Sequence, residues 1–295
     1  MNKFFGDKQQ AEASGNGFVA QSQGNMTVHV GVSYQDVKEI CSELHEKNFP
    51  VLREEARKSS IEAINSFADV FFKRIEKIED ANKVQEKLKS PDVQAAINSS
   101  IMHVGRMTNK SHAELLTELL AEKISGNNED NDYLLNEAIE VTASIDLNSI
   151  RFAAFSFAIS NLSPTFEGNV SDEEKQQVFK KYFNERLLAL IGDENKPIDP
   201  YYLSYKGVLA GAAGITKYRV SILDRIKSTT GLSLEGFKSE TVIQQADVFQ
   251  SNFPKLVSVI ESFKLQSIDD IDSKPLSRLG IVIAQAYFRK IGAIQ

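Results

Sequence analysis

From Ile150 to Leu162 the chain reads I-R-F-A-A-F-S-F-A-I-S-N-L. Wound as a helix, this segment is apolar on nearly all sides and has no face to give to water. Such a helix belongs at the centre of a bundle, with other helices around it. It does not amount to a membrane span. The apolar run follows Arg151, is broken by Ser156, Ser160 and Asn161, and falls short of the ~20 residues a bilayer needs.

The flanking sequence supplies helices to surround it. Ser33-Tyr-Gln-Asp36 is a capping box, followed by one apolar face at Val37, Ile40, Cys41 and Leu44. Asn48-Phe49-Pro50 is expected to end that helix near Lys47 and to start another, because proline suits a first turn and disfavours helix before it. The next helix, about 51–80, carries Ile61, Ile64, Ala68, Phe71, Ile75 and Ile78 at 3-4-3-4-3 spacing, a short coiled-coil-like seam. Ser90-Pro91-Asp92 starts a helix with the stripe Val93, Ile97, Ile101 and Val104. Two more stripes follow, Leu115 to Ile124 and Leu134 to Ile145. Ser163 to Val170 reads as a linker. Ser171-Asp-Glu-Glu174 is a second capping box, with Val178, Phe179, Tyr182, Phe183 and Leu187 inward. Shorter helices are expected near 216–228, 239–250, 254–264 and 276–291.

One stretch breaks the helical pattern. In G-N-G-F-V-A-Q-S-Q-G-N-M-T-V-H-V-G-V, residues 15–32, Met26, Val28, Val30 and Val32 alternate at the period of a half-buried strand. Gly24-Asn25 suits a hairpin turn. A lone hairpin is marginal in water and leaves an unpaired edge, so it must cover the helical body or pair with another copy. An oligomerisation element would use Phe18, Gln21, Gln23, Asn25, Met26, Val28 and Val30, with the amides able to ladder between stacked strands.

Composition narrows the function classes. The net charge is −6, against general nucleic-acid affinity. Residues 201–295 hold 12 Lys+Arg and 8 Asp+Glu, a mildly basic third able to meet an acidic surface. The single cysteine, Cys41, forbids an intramolecular disulfide. Without a signal-peptide pattern at the start, a reducing cytoplasm is the expected compartment.

Chemistry is harder to find. His29, His45, His103 and His112 do not pair at helical spacing, so no metal site and no cofactor is expected. His45 follows Cys41 by four residues, a thiol–imidazole contact at most. No nucleophile elbow and no phosphate-binding loop is present. Gly207, Gly211 and Gly214 read as a close-packing run. Glu137 and Glu140 share a helix face, as an acid/base or metal pair would, but such pairs are common on solvated surfaces. Asp269, Asp270 and Asp272 form another acidic group. Tyr201, Tyr202 and Tyr205 beside Lys206 could stack bases or pack an interface. No residue is assigned a catalytic role.

Several of these segments together resemble a family of bacterial proteins known by locus names. They are G-N-G-F-V-A-Q-S-Q-G-N, V-S-Y-Q-D-V-K-E-I, N-F-P-V-L-R-E-E-A, S-P-D-V-Q-A-A-I, L-L-T-E-L-L-A-E-K-I, L-N-E-A-I-E, Y-K-G and L-S-R-L-G-I-V-I-A. The resemblance covers most of the chain and implies no activity. The Gly/Asn/Gln-rich start is also similar to short β motifs of bacterial immunity and signalling proteins, where like pairs with like.

The expected fold is mainly α, with two helical subdomains and a short N-terminal β hairpin. The expected parts are a mobile N-terminus at 1–14, the hairpin or oligomerisation element at 15–32, and helical domains at 33–165 and 171–295. The expected function is a non-enzymatic, self-assembling interaction protein of bacterial cytoplasm, in anti-phage defence. Its partners would be its own copies and a protein partner, with no specific nucleic acid, and a membrane only on activation. The alternatives are an enzyme, a nuclease or nucleotide hydrolase with a cryptic site, and a membrane-active effector that exposes Phe152 to Leu162.

Overall fold

The computed structural model describes residues 34–107, 109–126, 132–162, 164–166, 168–191, 194–210, 224, 228, 253–265 and 269–294. The hairpin expected at 15–32, with Phe18, Gln21, Gln23, Asn25, Met26, Val28 and Val30, lies outside them. So do most of the helices expected at 216–228 and 239–250. The chain divides into two compact units, Met1–Arg57 and Lys58–Gln295.

The protein is mainly helical. The first helix, α1 (Tyr34–Ile75), is continuous through Pro50, where the sequence predicts a break. An interior proline forfeits one backbone hydrogen bond and crowds the preceding turn. Here the helix absorbs that loss within a long run of intact turns. In the first unit, Arg57 reaches back one turn to Glu54 at 2.7 Å.

The second unit is built from α2 (Ala81–Lys89), α3 (Pro91–Val104), α4 (Lys110–Ser125), α5 (Asp132–Ser144), α6 (Leu147–Asn161), α7 (Asp172–Lys181), α8 (Leu188–Ile191), α9 (Pro200–Tyr205), α10 (Pro254–Ser262), α11 (Asp269–Asp272) and α12 (Arg278–Lys290), together with the end of α1. As its composition requires, α6 is central: Ile150 and every residue from Phe152 to Ile159 are buried. It packs mainly on α12, with Phe157 and Phe288 ring centroids 6.0 Å apart. Phe263, just after α10, stacks on Phe155 at 5.7 Å and meets Phe152 edge-on at 5.5 Å. One core cluster includes residues from both sides of the 163–170 stretch.

Two of the capping signals read from sequence operate as expected, and the Ser33 box lies outside the described residues. Ser90 Oγ accepts from the Val93 amide, and Ser171 with Glu174 closes a full capping box. A π-helical turn at Tyr182–Leu187 follows α7. Phe179 and Phe183 lie inward, 4.5 Å apart, and Val178 is exposed rather than inward. From this turn Asn184 Oδ1 accepts the Lys255 amide at 3.2 Å and so caps α10 from outside.

The residues just after Y-K-G, Val208 to Ala210, meet Pro275 and the start of L-S-R-L-G in space. Ala210 donates to the Pro275 carbonyl at 2.8 Å, Ser277 donates through its amide to Val208 at 3.0 Å, and Leu209 bridges Leu276. Gly207 has φ +73 and Gly280 sits directly under the Val208 carbonyl. Neither place suits a residue with a side chain. This clasp ties the start of α12 to the end of α9.

Candidate functional site

A groove lies between α3 and α5. Its volume is about 410 Å³, and Asp92, Ser99, Tyr133, Asn136, Glu137 and Glu140 line it over a floor of Ala95, Ala96 and Ile139. The caps place its charges. Ser90 and Pro91 start α3 so that Asp92 lies in the first turn, where a carboxylate is favoured. From the far end of α4, Lys123 enters fully buried and pairs with Asp92. It also donates to the Asp132 carbonyl oxygen at 3.4 Å. Asn136 donates to Asp92 at 2.8 Å. The Lys123 ammonium beside it, then Asn136, holds the Asp92 carboxyl below its ordinary value against the opposing effect of burial.

The other end of the groove brings Ser99, His103 and Glu140 together. Ser99 Oγ donates to Glu140 Oε1, and His103 Nε2 lies 3.2 Å from Glu140 Oε2. The Ser99 hydrogen bond first, and His103 second, hold the Glu140 carboxyl below its ordinary value. The three residue types match a nucleophilic triad, but the order does not. In a triad the imidazole sits between hydroxyl and carboxylate and takes the hydroxyl proton. Here the carboxylate sits between serine and histidine. The set is wired to keep Glu140 ionised, not to activate Ser99.

Lys123 and Asp92 cancel in charge, leaving Glu137 and Glu140 as two negative charges one helical turn apart. Tyr133 stands exposed at the rim. The groove is therefore suited to a cation with an apolar stem.

The sequence singled out Glu137 and Glu140, and both line this groove. It missed Lys123 and His103. Lys123 was detectable, since it falls on the same helical face as Leu116, Leu119 and Leu120. The other candidates do not converge here. Asp270 pairs with Lys274 at 3.8 Å. Tyr202 donates from its hydroxyl to the Ser144 carbonyl at 2.9 Å, with Lys206 over its ring, while Tyr201 and Tyr205 stand in solvent. His112 is buried, with Nε2 2.9 Å from the Ile145 carbonyl oxygen. His29, Gly211 and Gly214, and the Cys41 and His45 side chains, lie outside the described residues. Among the described residues no three His, Cys, Asp or Glu side chains are placed to hold a metal, and no helix is long and apolar enough to cross a membrane.

A family model described only by a locus name and "-like" matches residues 31–256. The match begins beyond the Gly15–Asn25 stretch. No curated protein and no solved structure matches the chain.

Proposed function

We propose, for a chain that belongs to this locus-named helical family, that it works by binding rather than by catalysis. It is a self-assembling interaction protein whose α3–α5 groove receives a cationic helical segment. The carrying observation is the pair Glu137 and Glu140 on one wall of an apolar-floored groove, with Glu140 kept ionised by Ser99 and His103. A lysine or arginine fits by laying its methylenes on Ala95, Ala96 and Ile139 and its charge between the carboxylates. Tyr133 adds a ring face for the same cation.

Self-assembly rests on the period-two stretch around Phe18 to Val30. A setting in bacterial immunity rests on the similarity of the Gly15–Asn25 composition to self-pairing motifs, and a cytoplasmic location on the lone cysteine. The enzyme reading gains nothing from the Ser99–Glu140–His103 order. The membrane-active reading requires α6 to leave the core. Each large apolar side chain so exposed costs about 1.5–3 kcal/mol.

The groove is tested with the full-length protein and a fluorescent helical peptide carrying lysines one turn apart on a leucine-rich face. Anisotropy should show saturable binding that weakens with salt. Glu137→Gln/Glu140→Gln should lower affinity by about tenfold. Equal affinity for wild type and variant would remove the groove from the account.

A further inference from the structure

We infer that the cationic segment taken by the groove is the end of α1 and the turn after it from a second copy of this chain, presenting Lys73 and Lys77. This rests on the reading of the α3–α5 groove as a binding surface and names its occupant.

The end of α1 forms one side of a second concavity of about 290 Å³, shared with α4 and α12. Four cations line it: Lys73, Arg74, Lys77 and Lys290. Two are already engaged. Arg74 Nε donates to both oxygens of Glu118 at 3.0 Å, and Lys290 lies 3.3 Å from Glu114. Lys73 and Lys77 are exposed and have no ion-pair partner among the described residues. The surface thus offers two positive charges four residues apart, Lys73 in the last turn of α1 and Lys77 in the turn just after it.

The groove offers the matching pattern. Its two carboxylates outside the Lys123–Asp92 pair, Glu137 and Glu140, are three residues apart on one face of α5, about one turn, and Glu140 also meets Ser99 and His103. A helix end and its following turn laid along α5 can bring Lys73 and Lys77 to the two carboxylates. Next to Lys73, Phe72 is 58% exposed, a large apolar side chain on the same helix end. The groove supplies Ala95, Ala96 and Ile139 to cover it. Charge sign and apolar content are complementary.

The two surfaces are different patches of one body, so the contact is heterologous. Repeated, it closes a ring or extends a filament, and it cannot close as a two-fold dimer through one patch. Exposed charge pairs are individually weak. The contact therefore operates when another link holds copies together and raises their effective concentration. The N-terminal stretch from Phe18 to Val30 is the link proposed above.

The test uses full-length protein mixed from nitrogen-15-labelled and unlabelled preparations. A water-soluble carbodiimide couples touching carboxylates and lysines, and mass spectrometry separates mixed-isotope links from links within one chain. Mixed-isotope links should join Glu137 or Glu140 to Lys73 or Lys77. Glu137→Lys/Glu140→Lys alone, and Lys73→Glu/Lys77→Glu alone, should each lose these links, because carbodiimide joins neither lysine to lysine nor carboxylate to carboxylate. A mixture of the two variants should restore links between positions 137 or 140 and 73 or 77. These positions are exposed, and circular dichroism checks that both variants stay folded. An oligomer that binds the lysine peptide but shows no such links overturns this inference and leaves the groove reading standing. A protein that neither binds the peptide nor links overturns both.

Discussion

Gly280 lies at the first turn of α12 beneath the Val208 carbonyl, and a Cβ there would overlap that oxygen and touch Leu276. Backbone cannot move aside as a flexible side chain can. Gly280→Ala should therefore destabilise the protein by about 2–3 kcal/mol, measured by urea unfolding. Charge at single residues sets the pH response. Asp92 and Glu140 sit below their ordinary values, chiefly through Lys123 and Ser99 respectively. A depressed carboxyl adds stability that is present above its unfolded value, about pH 4, and lost as pH falls through the folded value. Glu122 has the opposite sign. Burial raises its carboxyl despite the Arg289 guanidinium paired with it, and Glu118 adds to the rise. Its contribution is lost as pH rises through the raised value. Glu122→Gln should accordingly gain stability relative to wild type as pH rises above the ordinary carboxyl range, read from unfolding midpoints across pH. A relative loss would mean that the Arg289 pair outweighs burial.

At the level of the elements, α1 shows where pattern reading succeeds and fails. The 3-4-3-4-3 seam correctly includes Ile64, Phe71, Ile75 and Ile78, all partly buried. The helix actually turns Phe67 into the core, stacked on Phe71 at 5.9 Å, and leaves Ile61 42% exposed and Ala68 in water. A 3.5-residue seam drifts around a straight helix, so its ends rotate off the buried face. Phe67→Ala should cost about 3–5 kcal/mol, whereas Ile61→Ala should stay within about 1 kcal/mol; thermal unfolding distinguishes them. The all-apolar α6 and the Ser90 and Ser171 caps were legible because their causes are local. Continuity through Pro50 was not, since the local penalty of proline is outweighed by turns on both sides. The clasp of Gly207 to Ala210 against Pro275 to Gly280 was also hidden. Its contacts span some 70 residues of sequence, and both strings look like ordinary loop and helix-start residues.

Across the whole molecule, the groove was half legible. Glu137 and Glu140 were visible as a pair on a helix, but the sequence does not show that α3 lies opposite with Asp92, Ser99 and His103. That meeting depends on α3 and α5 packing around α4. Nor does composition show that Lys123, set in an apolar stripe, cancels Asp92 from inside. The proposal is of a helical body that binds through an acidic groove and a separate cationic helix end, with the N-terminal stretch proposed to join copies. Its central claim is self-assembly through that stretch. The direct measurement is solution mass by light scattering, on the full chain and on a chain beginning at Ser33. The account predicts an oligomer for the full chain and a folded monomer for the shorter one, because weak exposed charge pairs alone do not hold copies together at dilute concentration. Equal masses for the two would contradict it.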